Sequence, residues 1–72
     1  MSKVNVYLAD GFEEVEGLTV VDLLRRAGIE TDMVSIMGRK EITGARKIPV
    51  LADKLFEEQD DPDVIVPPGG KP

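Results

Sequence analysis

The N-terminal half of the chain shows strand-like and helix-like hydrophobic patterns in turn. Residues 3–9 first alternate between polar and apolar and then become continuously apolar before an Asp-Gly turn. This pattern is typical of a strand buried on both faces. Apolar residues then recur at helical spacing over residues 14–27 and stop at Gly28, a residue suited to the left-handed conformation at a helix C-terminus. Residues 30–37 form a second strand-like segment. A strand, a helix and a strand with short connections predict a βαβ unit with parallel strands.

The second half of the chain predicts shorter elements. Residues 41–43 and 48–51 are β-prone and flank a glycine-containing turn, so they predict a hairpin. Pro49 places the second piece at an edge, because proline has no N–H to donate to a strand ladder. Residues 53–58 predict a short helix capped by its first residue, an aspartate. Residues 63–67 predict a last, buried strand, and we expect the first strand to lie between it and the second.

The composition limits the chemistry that this chain can perform. Its 72 residues suffice for one small domain, which buries about 60% of the surface that the unfolded chain exposes. Without cysteine or histidine the sequence offers no disulfide, no thiol or imidazole chemistry and no recognisable metal site. The acidic residues at 60–63 lack the ligand alternation of a calcium loop, so a solvated loop is the favoured interpretation.

Charge and hydropathy indicate the compartment and the partners. Fourteen acidic and nine basic residues give a net charge of −5, which argues against binding to nucleic acid or to an anionic membrane. The N-terminus lacks the pattern of a signal peptide, and no apolar stretch approaches the roughly 20 residues needed to span a bilayer. We therefore expect a cytoplasmic protein.

Glu16 is the most informative candidate residue. It shares a helical stripe with four apolar residues that we expect to face the core: Val20, Leu23, Leu24 and Ala27. An acid at this position either complements the positive helix N-terminus from water or is held inside, where desolvation favours a protonated carboxyl that can donate a hydrogen bond. The helical pattern leaves both interpretations open. Glu13 and Glu14 fit the first one better, because they lie at the junction of loop and helix and can remain in water.

Gly69 and Gly70 are the second candidate feature. In open α/β sheets ligands bind beyond the carboxyl ends of the strands, so the loops at residues 10–16 and 67–71 are predicted to face one site. Glycines let backbone N–H groups approach an oxyanion, although a tight turn is the simpler use for them. The sequence contains neither of the common glycine-rich nucleotide-binding motifs.

Four segments of the chain resemble the ThiJ/PfpI superfamily. They are residues 8–16 (LADGFEEVE), 21–28 (VDLLRRAG), 51–53 (LAD) and 63–70 (DVIVPPGG). The resemblance runs in register over essentially the whole chain. It implies a flavodoxin-like, three-layer α/β sandwich with a mainly parallel sheet. Residues 1–72 would then be the N-terminal portion of one such domain, incomplete without a C-terminal remainder.

The resemblance also implies roles for particular residues. The nucleophilic cysteine of the superfamily and its histidine partner would lie in the C-terminal remainder. Glu16 would hydrogen-bond the cysteine thiolate, and Gly69 and Gly70 would supply backbone N–H groups to an oxyanion. Arg26 and Arg46 resemble arginines near the pocket and the dimer interface. The complete protein would be a homodimer, and it would act without a metal or other cofactor.

The activity that the resemblance implies is a glyoxalase III-like or deglycase-like reaction on small reactive aldehydes or glycated adducts. This chain would be inactive alone. A PfpI-like amidase or peptidase, a stress-response chaperone or redox-sensing interaction protein, and a self-contained small binding domain remain as alternatives. Pro67 departs from the superfamily pattern, which has an aliphatic residue there.

Overall fold

The computed structural model describes residues 2–69 and contains an α/β fold. In chain order its elements are β1 (Lys3–Leu8), α1 (Glu14–Arg26), β2 (Glu30–Ser35), β3 (Glu41–Thr43), β4 (Pro49–Leu51), β5 (Lys54–Leu55), a 3₁₀ turn (Phe56–Glu58) and β6 (Val64–Val66). The predicted βαβ unit, the hairpin and the last strand are confirmed. Gly28 follows the helix with φ +77°, as expected for its C-terminus.

The main sheet is parallel and has four strands in the order β5-β2-β1-β6. The first strand is central, as predicted, and Val6 lies opposite Met33 on one side and Val66 on the other. Strands β3 and β4 form a separate antiparallel pair. Because parallel strands end at the same edge of a sheet, the loops after β1 and β6 lie next to each other.

Helix α1 packs on one face of the sheet. The core cluster there contains buried residues from β1, the following loop, α1 and β3: Val4, Val6, Leu8, Phe12, Val21 and Ile42. Since side chains of a strand alternate between faces, the other residues of β1 point away from the helix. No helix within residues 2–69 is long and apolar enough to cross a membrane.

The opposite face of the sheet carries a charged network that the hydrophobic pattern did not indicate. The Lys3 ammonium lies 2.7 Å from Asp32, and Lys54 lies 2.9 Å from Asp32 and 2.6 Å from Asp60. Burial works to raise the pKa of Asp32, but the two lysines outweigh it and hold that pKa below its ordinary value. This network fastens residues 54–60 to the sheet.

The helix presents a different stripe to the core from the one predicted. Val20 and Leu24 pack against the core cluster, but Leu23 is 59% exposed and Ala27 is also exposed. The buried residues of α1 are Glu14 and Val21. The contact face is rotated because Phe12 and the β3–β4 hairpin cover the helix from that side, a contact that helical spacing does not reveal.

The predicted helix at residues 53–58 is wrong. Lys54 and Leu55 instead pair with β2, and a single 3₁₀ turn follows. Asp53 caps no helix, because its carboxylate accepts a hydrogen bond from the Met33 N–H (2.8 Å) and pairs with Arg25 (2.7 Å). Long-range partners on β2 and α1 therefore override the local capping signal.

The last strand is less buried than predicted. Val64 and Ile65 are 51% and 50% exposed, because β6 is an edge strand with one neighbour, β1, within the described residues. Of this strand only Val66 packs against the core, and it is half-buried.

Candidate functional site

A small cavity lies between the first turn of α1 and the carboxyl ends of β1 and β6. Its volume is about 120 Å³, and its lining includes Phe12, Gly17, Val66 and Pro67. Glu16 is the only charged side chain among the described residues that line it. A carboxylate at the rim of a largely apolar hollow is a recognisable candidate for a binding or catalytic site.

Glu16 and Gly69 meet at this cavity. A Cβ atom added to Gly69 would lie 3.1 Å from Oε1 of Glu16, so the absence of a side chain allows the close approach. The two residues belong to the loops that were predicted to face one site, and their chemical roles stay predictions. Gly70 lies outside the described residues.

The side chain of Glu16 is exposed, so of the two interpretations that the helical pattern left open the structure shows the one in which the carboxyl stays in water. The buried side of the first helical turn runs through Glu14, and Glu16 lies about 200° further around the helix. Residues 2–69 therefore leave this carboxyl open to solvent. Enclosure would have to come from outside them.

Phe12 fixes the position of the first helical turn above the sheet. Its ring is only 1% exposed, and a Cβ atom added to Gly17 would lie 3.0 Å from Cδ2 of that ring. Gly17 is thus needed for close packing and not for an unusual backbone angle. The sequence signal for this contact was a bulky aromatic residue followed five positions later by a glycine.

Glu14 is the buried acid of this region, contrary to the expectation that it stays in water. It is 5% exposed, and its Oε2 accepts hydrogen bonds from the backbone N–H groups of Arg46 (2.8 Å) and Ile48 (3.3 Å). Burial favours the neutral carboxyl. However, these donors, its own N–H and the Arg46 charge hold the pKa of Glu14 below its ordinary value.

Further contacts join the β1–α1 loop to the hairpin. The N–H of Gly11 donates to the Thr43 carbonyl, and the N–H of Ala45 donates to the Phe12 carbonyl, each at 2.8 Å. Asp10 accepts a hydrogen bond from the Thr43 N–H (3.1 Å). That bond, assisted by the charge of Arg39 and opposed by partial burial, lowers the pKa of Asp10. The hairpin therefore serves as a support for the loop that precedes Glu16.

The two candidate arginines lie away from the cavity lining. Arg26 is exposed and forms an ion pair with Asp22 one helical turn earlier, at 3.0 Å. Arg46 is exposed on the hairpin, where its backbone N–H and not its guanidinium bonds Glu14. Their placement near a completed pocket or dimer interface stays a prediction. Within residues 2–69, no group of three or more acidic side chains is arranged to hold a metal ion.

The chain matches a family profile and several known proteins. Residues 2–72 match the DJ-1/PfpI family. The Parkinson disease protein 7 homolog of Danio rerio is 35% identical over 68 residues, which cover 90% of this chain and 36% of that protein. Protein DJ-1 homolog B of Arabidopsis thaliana is 34% identical over 70 residues, which cover 94% of this chain and 16% of that protein.

Solved structures of DJ-1 proteins are also similar to this chain. Oxidized DJ-1 of Toxoplasma gondii superposes with a TM-score of 0.92 at 38% identity. The match covers all of this chain and 40% of the Toxoplasma gondii chain. DJ-1beta of Drosophila melanogaster has a TM-score of 0.89 at 37% identity, with coverages of 97% and 39%. The chain thus spans well under half the length of the relatives that it matches.

Proposed function

The chain belongs to the DJ-1/PfpI family, and from that membership we propose that it forms the N-terminal part of a cofactor-independent, cysteine-dependent enzyme. The meeting of Glu16 and Gly69 at one cavity carries the proposal. The nucleophilic cysteine and its histidine partner belong to a C-terminal remainder, since this chain contains neither residue type. Its substrates are small reactive aldehydes such as methylglyoxal, or glycated adducts, and a cavity of about 120 Å³ suits molecules of that size.

Each group has a defined task in this proposal. The cysteine sulfur attacks the carbonyl carbon, and the carbonyl oxygen takes up the electron pair as an oxyanion. Backbone N–H groups of Gly69 and Gly70 stabilise that oxyanion. The Glu16 carboxyl hydrogen-bonds the sulfur and passes protons between it and the substrate. Phe12 and Val66 keep one wall of the cavity apolar, which strengthens these interactions once the site is covered.

The exposed last strand supports the need for a remainder. Val64 and Ile65 are half exposed, and an open apolar edge strand is prone to pair with another segment. We propose that the remainder covers this edge and the open side of the cavity. The complete protein is proposed to be a cytoplasmic homodimer, for which the exposed apolar residues Val15 and Leu23 on the outer face of α1 offer a contact surface.

Turnover measurements test the proposal. The complete protein should convert methylglyoxal to lactate, and the chain by itself should not. Glu16→Ala should abolish the conversion, whereas Glu13→Ala, a matched change one helical turn away, should leave it intact. Unchanged turnover in Glu16→Ala would refute the proton-transfer role.

The same assays separate the alternatives. Release of ammonia or cleavage of peptides without lactate formation would favour an amidase or peptidase. Suppression of aggregation with no turnover would favour a chaperone. A compact, monomeric 72-residue chain in sedimentation would support a self-contained binding domain and weaken the proposal of a remainder.

A further inference from the structure

Helix α1 begins without the usual cap. Glu13 occupies the N-cap position with extended backbone angles, and its side chain makes no capping hydrogen bond. The first N–H groups of a helix lack partners within the helix, so an uncapped first turn is easily frayed. Glu16 lies in this first turn. Some other contact must hold the turn in place if Glu16 is to keep its position beside Gly69.

The β3–β4 hairpin offers a pair of N–H donors that meet at one point. Lys47 has φ +64°, the left-handed region, and its N–H donates to the Gly44 carbonyl at 2.9 Å. This turn directs the N–H groups of Arg46 and Ile48 to the same oxygen, Oε2 of Glu14. Successive N–H groups around a left-handed residue form a concave site for an anion, and here a carboxylate of the same chain fills it.

The fit of Glu14 into the hairpin is tight. A Cβ atom added to Gly44 would lie 2.3 Å from Cδ of Glu14, so no larger residue can occupy that position while the carboxylate stays in place. Within the described residues Oε1 of Glu14 is buried without a hydrogen-bond partner. Both hydrogen bonds from the hairpin to Glu14 therefore go to Oε2.

We propose that Glu14 is a positioning residue for Glu16. Glu14 fastens one side of the first turn to the hairpin, and Gly17 rests against Phe12 on the sheet side. Two fixed contacts prevent the turn from rotating or fraying, so the side chain of Glu16 is directed to Gly69. The inference rests on the proposed function only in giving Glu16 a catalytic role, since the geometry itself can be measured independently.

Nuclear magnetic resonance of the complete protein tests this geometry. The probe is the Gly69 amide: its chemical shift should change when Glu16→Gln removes the carboxylate beside it, and this change is the Gly69 response. In Glu14→Ala and Gly44→Ala the response should lose most of its amplitude, because the first turn is released. Glu14→Gln, which keeps an acceptor oxygen, should restore much of it, and Glu13→Gln should leave it unchanged.

An unchanged Gly69 response in Glu14→Ala, together with altered Arg46 and Ile48 amides, would overturn the proposal and reduce Glu14 to a support for the hairpin. If Glu14→Ala and Gly44→Ala fail to fold, Glu14→Gln decides. In Glu14→Gln, a Gly69 response that falls together with the Arg46 and Ile48 hydrogen bonds supports the role. An unaltered Gly69 response while those hydrogen bonds weaken refutes it. The proposed enzymatic function fails separately, when Glu16→Ala retains full turnover in the complete protein.

Discussion

Glu14 and Glu16 lie two residues apart in the first turn of α1 but in opposite surroundings. The region around Glu14 is closed, since this carboxylate is buried and receives two backbone N–H groups from the hairpin. The region around Glu16 is open, with an exposed carboxylate at the rim of a cavity beside Gly69. One helical turn therefore carries one carboxylate that the hairpin binds through Oε2 and another that stays open to solvent.

The difference indicates which acid is structural and which is available for chemistry. A buried polar group normally finds its hydrogen-bond partners within the fold, and Glu14 does so through Oε2. A group that reacts must keep its capacity free for a substrate or a neighbouring nucleophile. The closed side anchors the turn, and the open side presents Glu16. Variants on the two sides should therefore differ in their effects on stability.

Removal of the ring under the helix should have the largest effect on stability. Phe12→Ala should destabilise the fold by about 3–5 kcal/mol, because a fully buried aromatic side chain is lost and a cavity remains. Phe56→Ala is the matched control. Its ring is 52% exposed and meets Tyr7 edge-on, so the cost should be about 1 kcal/mol or less. Urea unfolding measures both, and equal costs would show that Phe12 does not anchor the turn.

A pair of glycine substitutions compares the closed and open sides directly. Gly44→Ala should cost about 1–3 kcal/mol, because its methyl group overlaps the Glu14 carboxyl. Gly69→Ala should change stability by less than about 0.5 kcal/mol, because its neighbour is the mobile end of the Glu16 side chain in an open site. Urea unfolding at neutral pH distinguishes them. A larger loss in Gly69→Ala would reverse the assignment of the two sides.

Acid should loosen the closed side. The pKa values of Glu14 and Asp10 in the folded chain lie below their ordinary values of 4.5 and 3.8. The stability that these groups contribute is therefore fully present above those ordinary values and is lost as the pH falls through the lower folded values. Hydrogen exchange should show the Arg46 and Ile48 amides losing protection in that acidic range. Glu14→Gln should remove much of this pH dependence, and persistence of the full dependence in that variant would contradict the role of Glu14.

The smallest effect is expected for Arg26. Its ion pair with Asp22 is exposed and joins residues one turn apart, so Arg26→Ala should cost roughly 0.3–0.5 kcal/mol. Thermal unfolding in low and high salt measures this contribution. A loss several times larger would show that Arg26 stabilises the fold of this chain, rather than only an interface of the complete protein.

Local patterns in the sequence predicted most of the fold. The central strand, the helix with its glycine stop and the hairpin follow from periodicity and turn residues that lie close together in the chain. The hydrogen bond between Glu14 and Arg46 joins residues 32 positions apart, and the one between Asp53 and Met33 joins residues 20 positions apart. Such partners cannot be derived from helical spacing. For the same reason the pattern indicated the wrong buried stripe on α1 and a helix at residues 53–58.

The candidate site was predicted in part. Glu16 and Gly69 were expected at one site because parallel strands end at one edge, and the structure brings them together. The pattern left the burial of Glu16 open, because it could not show that Glu14, and not Glu16, faces the hairpin. The last strand was expected to be buried, but Val64 and Ile65 are half exposed. Apolar composition alone does not say whether another segment covers a strand.

The role of Glu16 in proton transfer is tested most directly by the turnover of methylglyoxal by the complete protein carrying Glu16→Gln. The melting temperature is measured as well, and Glu13→Gln is the control. Glu16→Gln should lower kcat by about 10²–10⁴-fold, because a proton-transferring group is removed from the open side. Its melting temperature should stay nearly unchanged. Glu13→Gln should match the unaltered protein in both measurements. Unaltered turnover in Glu16→Gln would contradict this role, because Glu16 would then take no part in the chemistry.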